Sequence, residues 1–355
     1  MSRSARDVSS RFLGRLEMHA RRGGRSPATD TRWVSPVSDL EMARLTESAC
    51  ELSVRFGRHL GAAFLSWEGQ EWVVLVGFDF EFQLTAASEG MEEVDLSIGH
   101  ALLALDQLET SPIATPSETY NIVAASGKSL SGYEGHPFED LSSLMPSLRM
   151  LSLDSPAVDD ASRWAILTDL CAKECLSRDS WMEEGLVERI SSLTSNPISQ
   201  FPYESLGRSL FDLDPRSLFT SLYRCLEAMY SYERAESLRH DLESSMPWYQ
   251  VADKLSDTLG WHPRHDSGLR EVLAHASVSP PDLEALGLSL GCPPGSTSET
   301  ISAAVRKLRN NIVHYGSLVD TVSVDDYKWN DVCSPLAGIV GGLFRAVYTT
   351  LPVVR

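Results

Sequence analysis

The sequence has no run of the roughly eighteen or more apolar residues that a membrane-spanning helix needs. Its nearest approach, Leu336 to Val347, is broken by glycines and Arg345, so no membrane partner is expected. Cysteine is scarce as well. Cys50, Cys171, Cys175, Cys225, Cys292 and Cys333 are scattered through 355 residues, several of them inside apolar helical patterns, and suggest no disulfide framework. With no apolar signal-peptide core near the start, a reducing cytoplasm is the expected compartment. There is no repeat of fixed period, no Gly-x-Ser-x-Gly elbow and no His-Glu-x-x-His run, so solenoids, serine hydrolases of that type and zincins drop out.

Positive charge is also in short supply. The formal net charge of −18 argues against broad electrostatic adhesion to nucleic acid or to anionic membranes. The beginning of the chain is the exception, because residues 1–32 hold eight Arg against Asp7, Glu17 and Asp30. Such a segment has three readings: a disordered basic arm touching RNA or an acidic partner, an organellar transit segment, or a solvated tail. Residues 1–35 are accordingly expected to form a flexible basic arm.

What is present is enough apolar content, 43%, in a chain long enough for two or three domains with real cores. From Ser38 to Leu60 the positions Leu40, Leu45, Ala49, Leu52, Phe56 and Leu60 recur near the helical period and predict one amphipathic helix. Ala62 to Trp67 and Glu71 to Leu84, around Glu68-Gly-Gln, read as a hairpin. Val94 to Leu108 predicts a helix, and Glu109 to Pro137 reads as loops with one short strand at Tyr120 to Ala124. Helical periodicity returns between Asp159 and Thr194. Pro197 and Pro202 then place a domain boundary at residues 195–205.

Beyond that boundary everything reads as helix: Pro215 to about Ser244, Trp248 to Leu259, Gly268 to Ala276, Ser298 through Leu308, and Val332 to Thr349, with Pro280-Pro and Pro293-Pro-Gly as breaks. The expected fold class is α+β, a mixed α/β region over residues 36–200 followed by an all-α bundle over 205–355.

Several constellations carry little chemistry. Cys171 and Cys175 have i, i+4 spacing but no second ligand pair, and burial is the better reading. His262 and His265 read as a surface turn. Ser126-Gly127-Lys128-Ser129 lacks the upstream Gly of a phosphate-cradling loop. The pairs Glu183-Glu184 and Asp325-Asp326 read as solvated faces.

One stretch differs, Arg306-Lys-Leu-Arg-Asn-Asn-Ile-Val-His-Tyr-Gly316. An Arg followed by a His five positions later is common by chance, and Arg270 with His275 repeats the spacing as an internal control. The two amides beside Arg309 are the distinguishing feature, since Asn is a mediocre helix former and an exposed face is more cheaply built from Glu, Lys or Ala. Asn310 and His314 share a helix face, while Arg309 must reach round with its long side chain. Glu227, on the earlier long helix, is a candidate polar group facing the motif.

Arg309, Asn310 and His314, with Gly316 after them, resemble the Arg-x4-His signature of the HEPN superfamily. The helix carrying Leu222-Tyr-Arg-Cys-Leu-Glu227 and the motif's place near the C-terminal end resemble the order of HEPN bundles in phage-defence proteins. The resemblance covers roughly residues 205–355 and none of the first 200. It implies a metal-independent endoribonuclease without cofactor, acting on RNA as a homodimer in bacterial defence or a toxin-like response, under a regulatory protein or a phage-derived trigger. By the same resemblance Arg309 contacts the scissile phosphate, His314 serves as general acid or base, and Asn310 orients the His or a phosphate oxygen. Two alternatives stand beside it: a non-catalytic HEPN-like interaction or nucleotide-binding module, and a ligand-activated CRISPR-associated ribonuclease, which requires a doubly wound N-terminal sheet.

Overall fold

The computed structural model describes residues 4–25, 32–35, 38–81, 90–125, 135–154, 159–178, 180–261, 265–313 and 323–348. The chain divides into two compact units, Met1–Arg163 and Trp164–Arg355. The fold is α+β, with a five-stranded antiparallel sheet and helices in the first unit and, among the described residues, helices alone in the second. Among the described residues no helix is long and apolar enough to cross a membrane.

The first unit opens on α1 (Ala5–Arg21), where the sequence was read as a basic arm. Val8, Phe12, Leu13, Leu16 and Ala20 follow the helical period and are buried. Two of the arginines behind the arm reading dock this helix on α3 (Ile98–Leu108): Arg11 Nε and Nη2 donate to the two carboxylate oxygens of Asp106 at 3.0 and 2.5 Å. Arg15 adds a bond to the Leu105 carbonyl at 2.9 Å. Counting charge had hidden an apolar stripe that runs through it.

The helix expected from Ser38 to Leu60 is less than half the expected length. It is α2 (Asp39–Glu47), capped by the Ser38 hydroxyl on the Glu41 N–H, and Ser48 ends it. After it comes β1 (Ala49–Arg55), whose burial alternates with period two. Leu52 and Phe56 fit a helical period from Leu45, but Cys50, Leu52 and Val54 equally fit a strand. Pairing with β2 (Gly61–Trp67), Val54 opposite Ala62, decides between them.

The hairpin between β2 and β3 (Gln70–Val76) turns on Glu68 and Gly69, both with positive φ, as a two-residue loop requires. β3 stops at Val76 instead of continuing toward Leu84; residues 82–84 lie outside the described residues. β4 (Met91–Val94) and β5 (Leu148–Leu153) complete the sheet in the order β1-β2-β3-β5-β4. The helix expected from Val94 therefore begins only at Ile98, where Ser97 caps it.

Ala63, Leu65, Val74 and Val76 share a core with Phe12, Leu13, Leu103 and Leu105. Phe64, Val73 and Leu75, which alternate with them, are also fully buried, so these strands read as unbroken apolar runs. The segment read as a short strand at Tyr120 to Ala124 is helical, α4 (Pro116–Ala125). Thr115 and Glu118 form its capping box, the Thr115 N–H on the carboxylate at 2.8 Å and the Glu118 N–H on the hydroxyl at 3.3 Å. α5 (Phe138–Ser142) follows.

The division between units falls near the start of α6 (Asp160–Ser177), and the helices then run α7 (Glu184–Thr194), α8 (Tyr203–Leu210), α9 (Arg216–Glu227), α10 (Tyr232–Asp241), α11 (Trp248–Leu259), α12 (His265–Leu273), α13 (Pro280–Ser289), α14 (Ser298–Val313) and α15 (Trp329–Val347). Pro197 and Pro202 separate α7 from α8 within this second unit. α15 is its apolar centre: Val332, Leu336, Ile339, Val340, Leu343 and Phe344 are buried, and it packs on α7, α9 and α13. Burial of each such side chain contributes about 1.5–3 kcal/mol.

Two helical expectations need correction here. The single helix from Pro215 to Ser244 is broken between Glu227 and Tyr232 into α9 and α10. Pro280-Pro281, read as a break, instead opens α13, where Pro needs no N–H partner.

Candidate functional site

α14 buries Ile301, Val305 and Leu308 as its apolar stripe. Arg309 lies four residues after Val305, so its long side chain starts beside that stripe and runs over α9. There it meets a prepared surface. Arg309 Nη2 donates to Glu227 Oε1 at 3.3 Å, and the guanidinium carbon lies 5.6 Å from the centroid of the Tyr223 ring. Tyr223 and Glu227 are four residues apart on one face of α9, which is why one side chain reaches both.

Tyr223 is itself fixed from below. Tyr230, in the turn after α9, donates its hydroxyl to the Tyr223 hydroxyl at 3.0 Å, and both rings are buried. In an unbroken helix two residues seven apart stand about 10 Å apart along the axis, so the turn is what lets these hydroxyls meet. Behind Tyr230 sits Gly268 of α12, where a Cβ would lie 2.6 Å from the ring's Cγ. Gly268, Tyr230, Tyr223 and Arg309 thus form a stack from the interior outward. Burial pushes both phenols above their ordinary range, so they stay protonated under any ordinary condition.

Of the residues singled out from sequence, Arg309 and Asn310 are brought together: Arg309 Nη1 donates to Asn310 Oδ1 at 3.3 Å. Asn310 is exposed, and the Arg309 side chain retains 24% of its exposure. His314 lies outside the described residues, which end in α14 at Val313. Glu227 does face the motif. Arg306, one turn before, also acts on the Tyr223 hydroxyl, and with Lys307 and Arg309 it places three cations within four residues.

Tyr223 and Tyr230 were not singled out as site residues by sequence reasoning. A signal was available, because Tyr223-x3-Glu227 puts an aromatic and a carboxylate on one helix face, the pair a guanidinium favours.

The control pair behaves differently. His275 Nδ1 accepts the Ser277 N–H at 3.2 Å and lies 2.8 Å from the Ser277 hydroxyl, with its ring edge-on to Tyr232. Arg270 is directed to Glu299 at 3.6 Å. These are turn and surface contacts and do not converge. Cys171 and Cys175 are buried, and burial pushes the Cys175 thiol up to about 12. Among the described residues no group of three or more His, Cys, Asp and Glu is placed to hold a metal ion. His262 and Ser126 to Ser129 lie outside the described residues, and nothing is described of the His265 side chain. Glu183 and Glu184 are exposed, and Glu183 borders a groove of about 490 Å³ between α7, α13 and α15 that shares no residue with the Arg309 stack.

No protein-family model, no curated protein and no solved structure gives a significant match to this chain.

Proposed function

We propose that the helical unit is a HEPN-like, metal-independent endoribonuclease, acting on RNA as a homodimer in the cytoplasm, in a defence or toxin-like response under a regulatory trigger. The observation that supports this reading is the Arg309 stack. A guanidinium is held at a stated place by an aromatic platform and a carboxylate, remains partly exposed, touches the Asn310 amide, and precedes His314 by five residues. A planar, permanently charged donor in that setting is suited to a phosphodiester oxygen on which charge builds up.

In the reaction proposed, the RNA 2′-OH loses its proton to a base and its oxygen bonds to the adjacent phosphorus. The bond from phosphorus to the 5′ oxygen breaks, and that oxygen takes up a proton. The products are a 2′,3′-cyclic phosphate and a 5′-hydroxyl, with no redox change. His314 is assigned the proton transfer because imidazole titrates near neutral pH. Arg309 neutralises the developing charge and Asn310 orients a phosphate oxygen or the imidazole.

A non-catalytic interaction module is the second reading, and the Arg309–Glu227 ion pair is the observation that favours it, since structural ion pairs look the same. An antiparallel sheet lends no support to the doubly wound arrangement that the ligand-activated reading required. The deciding experiment is cleavage of end-labelled structured and single-stranded RNAs in EDTA by the wild-type protein and by Arg309→Ala, His314→Ala and His275→Ala. Loss in the first two variants with retention in His275→Ala supports the ribonuclease. Equal cleavage by all removes this motif from catalysis and supports the interaction module, whereas cleavage by none is the outcome of either a trigger-dependent ribonuclease or a non-catalytic module.

A further inference from the structure

We propose that the corner of the first unit where α1 meets α4 binds single-stranded nucleic acid, its phosphates taken by Arg22, Arg25 and Arg58 and a base stacked on the Arg25–Tyr120 pair. This goes beyond the proposed function, because it needs neither Arg309 nor cleavage.

The arginines at the start of the chain divide by what they touch. Arg11 and Arg15 turn inward onto Asp106, and Arg21 is engaged by Glu17 one turn before it. Arg22 and Arg25 are exposed, and among the described residues neither meets a carboxylate.

The end of α1 brings these two to one place. Arg22 is the C-cap, the Gly23 N–H closes on the Ala20 carbonyl at 2.9 Å, and Gly24, at φ +78°, takes the left-handed conformation in which the chain leaves the helix axis. Arg25 then lies over α4, its guanidinium carbon 5.4 Å from the centroid of the partly exposed Tyr120 ring. Gly23 stands against Pro116, the first residue of α4, where a Cβ would fall 3.1 Å from the Pro116 Cβ. The corner is packed.

A third exposed arginine enters from the loop after β1. The Arg58 carbonyl accepts the Ser111 N–H at 3.2 Å, and three residues further on the Ala114 carbonyl accepts from His19 Nε2 of α1 at 2.8 Å. Three residues of extended chain span at most about 11 Å, so one short strand covers both sides. Arg58 likewise meets no carboxylate among the described residues. The acidic side chains of this linker have partners: Glu118 accepts the Thr115 N–H at 2.8 Å, and Glu109 pairs with Arg55 at 4.0 Å.

A helix C-terminus favours a cation against its dipole, which accounts for Arg21 or Arg22 but not for Arg25 and Arg58, which lie outside α1. An exposed guanidinium on an aromatic face suits a single strand, because it meets phosphate charge and base stacking with adjacent groups. An acidic protein surface or a lipid headgroup would use the charge and leave the ring idle.

The test uses the full chain and a short fluorescein-labelled oligodeoxythymidine, which lacks the 2′-OH and cannot be cleaved by the proposed route. Binding is followed by anisotropy across a range of salt concentrations. Arg22→Ala/Arg25→Ala is expected to weaken binding by about ten-fold at low salt and to reduce the slope of log K against log salt by about 1.4, with Arg58→Ala taking a further 0.7 or so. Tyr120→Leu should weaken binding while leaving that slope in place. Arg208→Ala/Arg234→Ala, which removes two exposed arginines paired with Glu204 and Glu271, controls for net charge and should change binding less than about two-fold.

No binding by the wild type, binding unchanged in Arg22→Ala/Arg25→Ala, or an equal loss in the control pair overturns the site. So does sedimentation with phosphatidylserine vesicles that depends on Arg22 and Arg25 while the oligonucleotide is ignored, which would assign the corner to a lipid surface. The two proposals fail separately. Binding that depends on Arg22 and Arg25 and survives Arg309→Ala, with no RNA cleaved by any form, keeps this site without the ribonuclease, whereas Arg309-dependent cleavage with binding indifferent to Arg22 and Arg25 does the reverse.

Discussion

Tyr230 donates its hydroxyl proton to the hydroxyl of Tyr223 across 3.0 Å, and both rings are removed from solvent. This bond ties the turn after α9 to α9 itself and sets the height of the surface on which Arg309 rests. Tyr230→Phe leaves the Tyr223 hydroxyl buried without that partner and is expected to cost about 1–2 kcal/mol. Gly268→Ala is expected to cost about 1–3 kcal/mol, because its Cβ would fall 2.6 Å from Tyr230 Cγ and a buried ring has nowhere to go, which outweighs the helix propensity of Ala. Urea unfolding measures both. Since both substitutions act on one ring, the double variant should fall short of the sum, and strict additivity would disprove the stack.

Asp106 anchors α1 to the sheet unit. Its side chain is 3% exposed and takes Arg11 in a bidentate bond and Arg15 at 3.4 Å. Asp106→Asn keeps the shape but removes the charge, leaving the mostly buried Arg15 without its nearest counter-charge; Arg11, largely in solvent, rehydrates at little cost. The expected loss is about 2–3 kcal/mol, with earlier proteolysis inside residues 5–21 than in the rest of the unit. Proteolysis of α1 unaffected by the substitution would mean that Phe12, Leu13 and Leu16 alone hold it.

What the sequence disclosed, and what it did not, follows from the range of the forces involved. The hairpin of β2 and β3 and the helix of α11 were legible because local turn chemistry and a clean period agreed with the tertiary outcome. Leu45 to Phe56 was not, because the same residues satisfy two periods and only the partner strand chooses. The capping box of Thr115 and Glu118 and the Pro280-Pro281 helix start were written in the sequence, but the first was read as loop and the second as a helix break. In the candidate site, Arg309, Asn310 and Glu227 were legible from motif and spacing. Tyr223 was announced by its four-residue spacing from Glu227 on α9 and was passed over, whereas Tyr230 became a site residue only through the break between α9 and α10, which no local pattern announces.

Histidine 100 makes stability depend on pH. It is fully buried, one ring nitrogen 3.0 Å from the Ser48 hydroxyl, with Trp72 against its face at 4.8 Å. Burial, reinforced by Arg44 and opposed by Glu41, lowers its pKa to about 4. Its unfolded value is about 6.5, so between these the unfolded state binds a proton that the folded state refuses, and stability falls as pH falls. The loss begins near pH 6.5, has a slope approaching about 1.4 kcal/mol per unit, and totals about 3 kcal/mol by pH 4. His136, also lowered by burial, adds with the same sign. Denaturant midpoints at pH 7.5, 6 and 5 check the slope, and His100→Gln should flatten most of it.

The thiols offer a chemical check of the packing. Cys171, Cys175, Cys225 and Cys333 are buried and their pKa values are raised by burial, whereas Cys50 and Cys292 are partly exposed. Since the thiolate is the reactive form, a disulfide reagent at pH 8 should titrate Cys50 and Cys292 in the native protein and all six cysteines in denaturant. Rapid native labelling of Cys225 would contradict the packing of α9 directly beneath the candidate site.

Replacing Arg309 with Lys separates charge from shape. Lysine keeps the positive charge and can still pair with Glu227, but it is a point donor on a flexible stem that cannot present a planar face to the Tyr223 ring while donating to Glu227 and Asn310 together. The fold should barely notice, because the ion pair is partly exposed, and an unfolding free energy within about 1 kcal/mol of wild type is expected. On the proposed ribonuclease reading, RNA cleavage should fall by about a hundred-fold or more, with the loss in kcat rather than KM, since a correctly aimed donor matters most where phosphate charge is greatest. A Lys variant that cleaves at the wild-type rate would show that charge alone suffices, and the aromatic platform beneath Arg309 would then have no part in the chemistry.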